Sequence, residues 1–406
     1  MVKIVDILGI KTIINKIEDD ASFTLSICFN TGSMEEKENE KGISHMLEHM
    51  MFTGTNKRNN FEISEEMDFY GAKYNAYTSK EITCYYFTSL SNKQKITSEI
   101  FFDMITDPIF PEDQIKKEKE IIFEEIKMSK DDIWSVVYEQ MQENLFKGNV
   151  KYNVIGTEES VGIINRDMLI DYYRRNYTRD NMIISVSGNF DELLLENQIK
   201  EYFSRLLPNK TILDFEKNDL IKIDYIDQKV INQVNIYLLT KNTSYKKTIK
   251  DYYIEFCLEC IMGDGFSSRL FQEVREKRGL AYLVNTINLE YQDLKTFAIY
   301  IGTSTNKYKE AIDVTYNVID DLIKNGVTER ELEKVKNSIL SSRASSKENS
   351  KIVGKYINMY RKFGDIYTDK EVEKILLSIT VKDINEKAKS LLKDFSTCVI
   401  GDIDGK

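Results

Sequence analysis

Four short stretches of this 406-residue chain recur in the same order a little over two hundred residues later. Gly71, Tyr74 and Thr78 return as Gly279, Tyr282 and Thr286 at an offset of 208, and Ser91-Asn92-Lys93 returns as Thr305-Asn306-Lys307 at 214. Residues 113–117 align with 330–334 at 217, and Val186-Ser-Gly188-Asn-Phe-Asp191 aligns with Val399-Ile-Gly401-Asp-Ile-Asp404 at 213. Similar offsets in chain order describe two homologous halves. Each half opens on an alternating segment, Phe23-Leu25-Ile27-Phe29 and Val234-Ile236-Leu238, which predicts a half-buried strand of period two. Pro208 and the polar run after it predict a short linker at 210–222 between domains 1–209 and 223–406. Each half then mixes long helical patterns with strands, so the expected fold is α+β: two homologous domains of mixed sheet packed with helices.

Charge and composition narrow the function. Asp and Glu number 66 against 56 Lys and Arg, a net charge of −10 spread along the chain, which disfavours nucleic acid as a partner. No apolar run approaches ~18 residues, and charged residues interrupt the first twenty, so neither a membrane span nor a secretory leader is expected and the chain reads as cytoplasmic. The five scattered cysteines suit reduced thiols rather than a disulfide framework. Cys257 and Cys260 lie in an apolar helical pattern and are expected in the core.

The chain has two histidines, and they sit four apart in Gly42-Ile-Ser-His45-Met-Leu-Glu48-His49-Met-Met-Phe-Thr-Gly54. Ile43, Met46, Leu47, Met50 and Met51 form a helical apolar stripe, with Gly54 expected to end the helix just beyond Phe52. His45, Glu48 and His49 fall on the opposite face, within one turn of each other. Two imidazoles at this spacing can share one Zn²⁺ at ~2.0–2.1 Å, with Glu48 beside the open position to take a proton from water. His-x-x-Glu-His is the inverse of the zincin signature and carries the same mechanics.

A catalytic zinc normally takes three protein ligands, and no third histidine exists. The helical stretch from Glu112 offers Glu118 and Glu125, seven apart on one face bordered by Ile115, Ile121, Ile122 and Ile126. Their carboxylates are expected to be partly buried and to need a cation, whereas Glu120 and Glu124 point away to solvent.

These residues resemble the insulinase and mitochondrial processing peptidase family, the pitrilysin-like inverzincins. Its pattern sets a metal-binding glutamate some 75 residues after the histidines. Ile121-Ile-Phe-Glu124-Glu125 stands there, so the resemblance implies Glu125 as third ligand to one Zn²⁺ per chain, with Glu118 behind the ligands. Gly71-Ala-Lys-Tyr-Asn75-Ala76-Tyr77-Thr78 is similar to the family's substrate-receiving edge strand. The stretch from Ser268 to Tyr282 is similar to its second-half signature, in which Arg275 and Tyr282 occupy the positions that assist catalysis and bind substrate. The second half has no histidine, and Ser342 stands where the repeat would place Glu125. The resemblance implies one processing-peptidase-like clam-half that pairs with a second copy, or with a related chain, to enclose peptide substrates.

The resulting expectation is a zinc endopeptidase for short unstructured peptides or leader segments. His45, His49 and Glu125 hold the metal, Glu48 serves as general base, and Tyr282 and Arg275 stabilise the oxyanion or hold substrate. Peptide would add as a strand beside residues 75–78. The rival expectation is a non-catalytic or partner-dependent subunit of a heteromeric processing peptidase.

Overall fold

The computed structural model describes residues 2–228, 233–244, 246–345 and 348–403; Asp404 of the last repeat lies outside the described residues. The chain divides into two compact units, Met1–Val136, Tyr152–Glu216 and Ser346–Arg361 in the first, and Val137–Lys151, Lys217–Ser345 and Lys362–Lys406 in the second.

The first unit is built on a six-stranded sheet. Its strands are β1 (Val2–Ile7), β2 (Ile10–Lys16), β3 (Ser22–Phe29), β4 (Lys73–Thr78), β5 (Thr83–Leu90) and β6 (Met182–Gly188), in the spatial order β1-β2-β6-β3-β5-β4. The pair β2 and β6 is parallel and the other pairs are antiparallel. The second unit is built on a five-stranded sheet of β7 (Asp224–Gln228), β8 (Val234–Lys241), β9 (Ala281–Glu290), β10 (Lys295–Thr303) and β11 (Ser396–Gly401), in the order β7-β11-β8-β10-β9. Here β7 and β11 are parallel and the rest antiparallel. From β2 to β4 the two sheets share one order and one polarity, so the repeat in the sequence is a repeat of topology. The α+β fold of two homologous sheet-and-helix domains is the one the sequence predicts.

Two glycines show how literal the repeat is. Gly188 pairs with Phe23 and Gly401 with Val234, at φ +119° and +153°. A Cβ on Gly188 would fall 2.3 Å from the carbonyl oxygen of Ser22, and one on Gly401 2.2 Å from that of Gln233. Each half therefore closes its sheet with backbone packed on backbone, where only glycine fits.

β3 and β8 differ from the half-buried strands expected. Phe23, Leu25, Ile27 and Phe29 are buried, and so are Thr24, Ser26 and Cys28 between them. Both strands are central, and both of their faces are covered. Part of the cover comes from helices that trade places. α1 (Ile43–Met50), α2 (Glu112–Asp131) and α3 (Ile133–Leu145) follow in the first half, and α4 (Ile249–Gly263), α5 (Glu329–Ser345) and α6 (Asn349–Phe363) in the second. Most of α3 belongs to the second unit, where Gln142 bonds to Tyr291, and most of α6 to the first. Asn349 at the start of α6 bonds to Ser187 and Asp20, and Arg361 near its end donates to Asn30 and pairs with Glu81. No helix among the described residues is long and apolar enough to cross a membrane.

Candidate metal centre

α1 positions the histidines. Gly42 precedes it at φ +89°, a left-handed turn that bends the backbone back over Glu36. The fully buried Glu36 carboxylate accepts hydrogen bonds from the backbone N–H groups of Gly42 and Ser44, both at 2.9 Å, and so caps the helix from outside its own sequence. Burial raises its pKa to about 7 against the pull of those donors. Ile43, Met46, Leu47 and Met50 are all inaccessible to solvent, which fixes the helix by its apolar stripe. The helix ends at Met50 rather than beyond Phe52. Phe52 and Thr53 turn back onto His49 and Met50 as tight turns, and Gly54, at φ +150°, pairs with Asn59.

On the other face, His45, Glu48 and His49 stay partly exposed. α2 brings up the carboxylates. Ile115, Ile122 and Ile126 are buried as the phase predicts, Glu120 and Glu124 are exposed, and Glu118 and Glu125 face α1, although Ile121 beside them is exposed. Glu125 Oε2 lies 3.7 Å from His45 Nε2 and 3.8 Å from His49 Nε2. One ligand atom from each of the three residues can be chosen so that all lie within 4.8 Å of one another. Those separations suit three corners of a tetrahedral site.

Burial and hydrogen bonding set the protonation of the two imidazoles differently. Burial, and then the neighbouring His49, push the His45 pKa down to about 3, so its ring is neutral and can offer a lone pair. His49 Nδ1 meets Glu118 Oε2 at 3.0 Å; the carboxylate accepts, which places the proton on Nδ1 and leaves Nε2 facing Glu125. Burial alone would lower the His49 pKa, but that hydrogen bond and the charges of Glu125, Glu118 and Glu48 raise it. Burial raises the pKa of Glu48, opposed by a short hydrogen bond from the Thr78 hydroxyl. Zn²⁺ fits this donor set: two imidazole nitrogens and one carboxylate oxygen, with a second carboxylate orienting one imidazole.

Asn75, Ala76, Tyr77 and Thr78 lie on β4, the edge of the first sheet, paired on one side with β5. Arg275 and Tyr282 lie in the second unit. Arg275 sits on a short π-helix, Phe271–Glu276, with its guanidinium 4.8 Å from the Phe271 ring centroid and no carboxylate partner among the described residues. Tyr282 lies across Gly302, where a Cβ would fall 2.4 Å from its hydroxyl, and donates to Gln233 Oε1.

Two features escaped the sequence reading. Glu36 carries no helical or motif signal, since its partners are backbone groups six and eight positions ahead. The second is a copy of the site. At an offset of 211, Ile43-Ser-His-Met-Leu-Glu-His-Met-Met51 aligns with Ile254-Glu-Phe-Cys-Leu-Glu-Cys-Ile-Met262 on α4. Met46, Leu47 and Met50 correspond to Cys257, Leu258 and Ile261, all buried, so both cysteines of that stretch lie in the core as expected. α1 packs on β4 and α4 packs on β9, the matching edge strand. Phe256 stands for His45, Cys260 for His49, and Glu259 for Glu48.

Residues 11–158 match the family model of the insulinase family (peptidase family M16), and residues 164–339 match that of the peptidase M16 inactive domain. The chain is 30% identical over 397 residues to an uncharacterized zinc protease of Bacillus subtilis, covering 97% of this chain and 96% of that one. It is 31% identical over 389 residues to an uncharacterized zinc protease of Rickettsia bellii, with 93% and 92% covered. The crystal structure of a peptidase M16 inactive domain from Pseudomonas fluorescens shares the fold, with a TM-score of 0.90 over 98% of both chains at 20% identity. With His-x-x-Glu-His and Glu125 gathered at one point in the first half and a histidine-free copy in the second, the chain belongs to the insulinase family, peptidase family M16.

Proposed function

We propose that this chain is a zinc-dependent endopeptidase acting on short unstructured peptides or leader segments. The observation that carries the reading is the convergence of His45, His49 and Glu125 within 4.8 Å, with Glu48 beside them on the same helix face. The zinc protease names of the relatives point the same way. When bound, Zn²⁺ supplies a Lewis acid and lowers the pKa of a water toward ~7.

The protein's own groups do the rest. Glu48 takes a proton from the attacking water and passes it to the leaving amine; its raised pKa strengthens it as a base, and the Thr78 hydroxyl keeps it in place. Glu118 holds the orientation of His49. The open side of β4 accepts an extended peptide by backbone hydrogen bonds from the stretch 75–78, so many sequences can bind. Thr78 lies on that edge and also holds Glu48, which sets the bound backbone next to the acid–base group. The reading includes a homodimer in which Arg275 and Tyr282 of one copy act at the metal of the other. The unpaired guanidinium and the exposed phenol are available for that role.

Metal analysis and peptide cleavage by wild type beside Glu48→Gln test the reading. The expected outcome is one Zn²⁺ per chain in both, a light-scattering mass of two chains, and a rate loss of about 10³-fold or more in the variant. Wild-type activity in Glu48→Gln would sink the mechanism, and absence of metal from the wild type would sink the site.

A further inference from the structure

The second unit contains a cavity of about 470 Å³ where α4 packs on β9, the place that corresponds to the metal centre of the first half. Its wall carries both signs of charge, unevenly matched. Lys295 pairs with Glu255 at 2.5 Å and with Glu290 at 3.7 Å, and Lys362 pairs with Glu290 at 2.7 Å. Neither ammonium reaches ion-pair distance of Glu259, the residue that repeats Glu48. The Asn288 amide donates to Glu259 Oε2, a neutral contact, and Lys295 acts on the carboxylate only from beyond ion-pair distance.

Aromatic faces flank this acid. Phe256, in the place of His45, lines the cavity with Tyr252, and the Lys362 ammonium already sits 4.6 Å from the Tyr252 ring centroid. Among the described residues, the metal-type cluster is that of His45, His49 and Glu125, so Glu259 has no companions to hold a metal ion. An unpaired carboxylate in a small cavity with aromatic walls suits an organic cation whose carbon frame can lie on the rings. We propose that this cavity binds a small primary amine, its ammonium against Glu259 and its carbon frame against Phe256. The proposal does not depend on the peptidase reading, because none of its residues belongs to the metal centre.

A pH dependence follows. Burial raises the Glu259 pKa to about 7, with Asn288 on β9 opposing and Asp264 just past the end of its helix, Glu255 on that helix and Lys295 on β10 contributing charge; Glu290 and Lys362 close the wall. An ammonium ligand binds the ionised acid, so binding strengthens as pH rises through 7.

Calorimetric titration of the full chain with phenethylamine tests this, with 2-phenylethanol as the uncharged control. The expected result is saturable binding at one site per chain, with a Kd of about 1 mM or tighter at pH 8. Binding should be about tenfold weaker at pH 6 and undetectable for the alcohol. Glu259→Gln should weaken binding about tenfold or more at pH 8 with an unchanged melting temperature. Lys362→Met, which removes one of the two ammonium groups of the wall, should tighten binding several-fold, a gain that damage to the pocket cannot produce. Glu48→Gln should bind as wild type does, which separates this site from the metal centre. No saturable binding, equal binding by Glu259→Gln or by the alcohol, or weaker binding by Lys362→Met would each overturn the proposal.

Discussion

His45-Met-Leu-Glu48-His49 and Phe256-Cys-Leu-Glu259-Cys260 are one helical segment in two versions. The core side is conserved in kind: Met46, Leu47 and Met50 in one, Cys257, Leu258 and Ile261 in the other, all buried. The acid is retained in both, and each is held from the matching edge strand, Glu48 by Thr78 and Glu259 by Asn288. The positions of the proposed metal ligands differ in chemistry. Phe256 offers no lone pair. Cys260 donates toward Asp264, and burial pushes its thiol pKa up, far from the thiolate a metal needs. On the facing helix, Val335, buried, and Ser342 stand where the repeat places Glu118 and Glu125. The scaffold and the ligand set are therefore separable, since stability lies in the stripe and chemistry in the positions opposite it.

The comparison can be broken by writing the second version into the first. His45→Phe with His49→Cys should abolish zinc binding, read by metal analysis, while circular dichroism and the melting temperature stay near wild type. Unfolding would show that the two sides of the helix are not separable. Next in size is Glu118→Gln, which leaves the three ligands but weakens the orientation of His49. Competition with a fluorescent chelator should show zinc affinity reduced about 10- to 100-fold.

A smaller effect tests the repeat itself. Gly188→Ala and Gly401→Ala each drive a Cβ into a carbonyl of the paired strand, so each should cost about 2 kcal/mol by urea unfolding. A large cost at one and none at the other would deny that the two glycines play the same part. A pH-dependent effect concerns the buried Glu36 cap of the first version of the helix. The Glu36 pKa of about 7 lies above the ordinary carboxylate value of 4.5, so the folded state favours the proton. That contribution to stability is complete below about pH 4.5 and is lost as pH rises through about 7. Glu36→Gln should flatten the stability profile in that window by up to about 1.4 kcal/mol per pH unit, and equal profiles would remove the assignment.

The site was legible because α1 and α2 are amphipathic. The buried stripes of Ile43, Met46, Leu47 and Met50 and of Ile115, Ile122 and Ile126 fix which side chains face away from the core, and the remaining residue types name the chemistry. The polar face of β3 was not legible. Thr24 and Ser26 signal exposure on period-two reasoning, yet they are buried because helices cover both faces of a central strand, and that cover is contributed from far along the chain. The copy on α4 was hidden for a related reason: its metal-facing residues had changed, so no histidine marked it.

The trading of α3 and α6 has a consequence for the growing chain. The first sheet is complete in sequence at Gly188, but the helix anchored on Asp20, Ser187 and Asn30 does not begin until Asn349. A ribosome making ~5–20 residues per second needs roughly ten to thirty seconds to cover that gap. For that interval the first sheet stands without its α6 cover. Chaperone engagement and aggregation should therefore concentrate on chains truncated before Asn349, and a fragment carrying α6 supplied separately should rescue them.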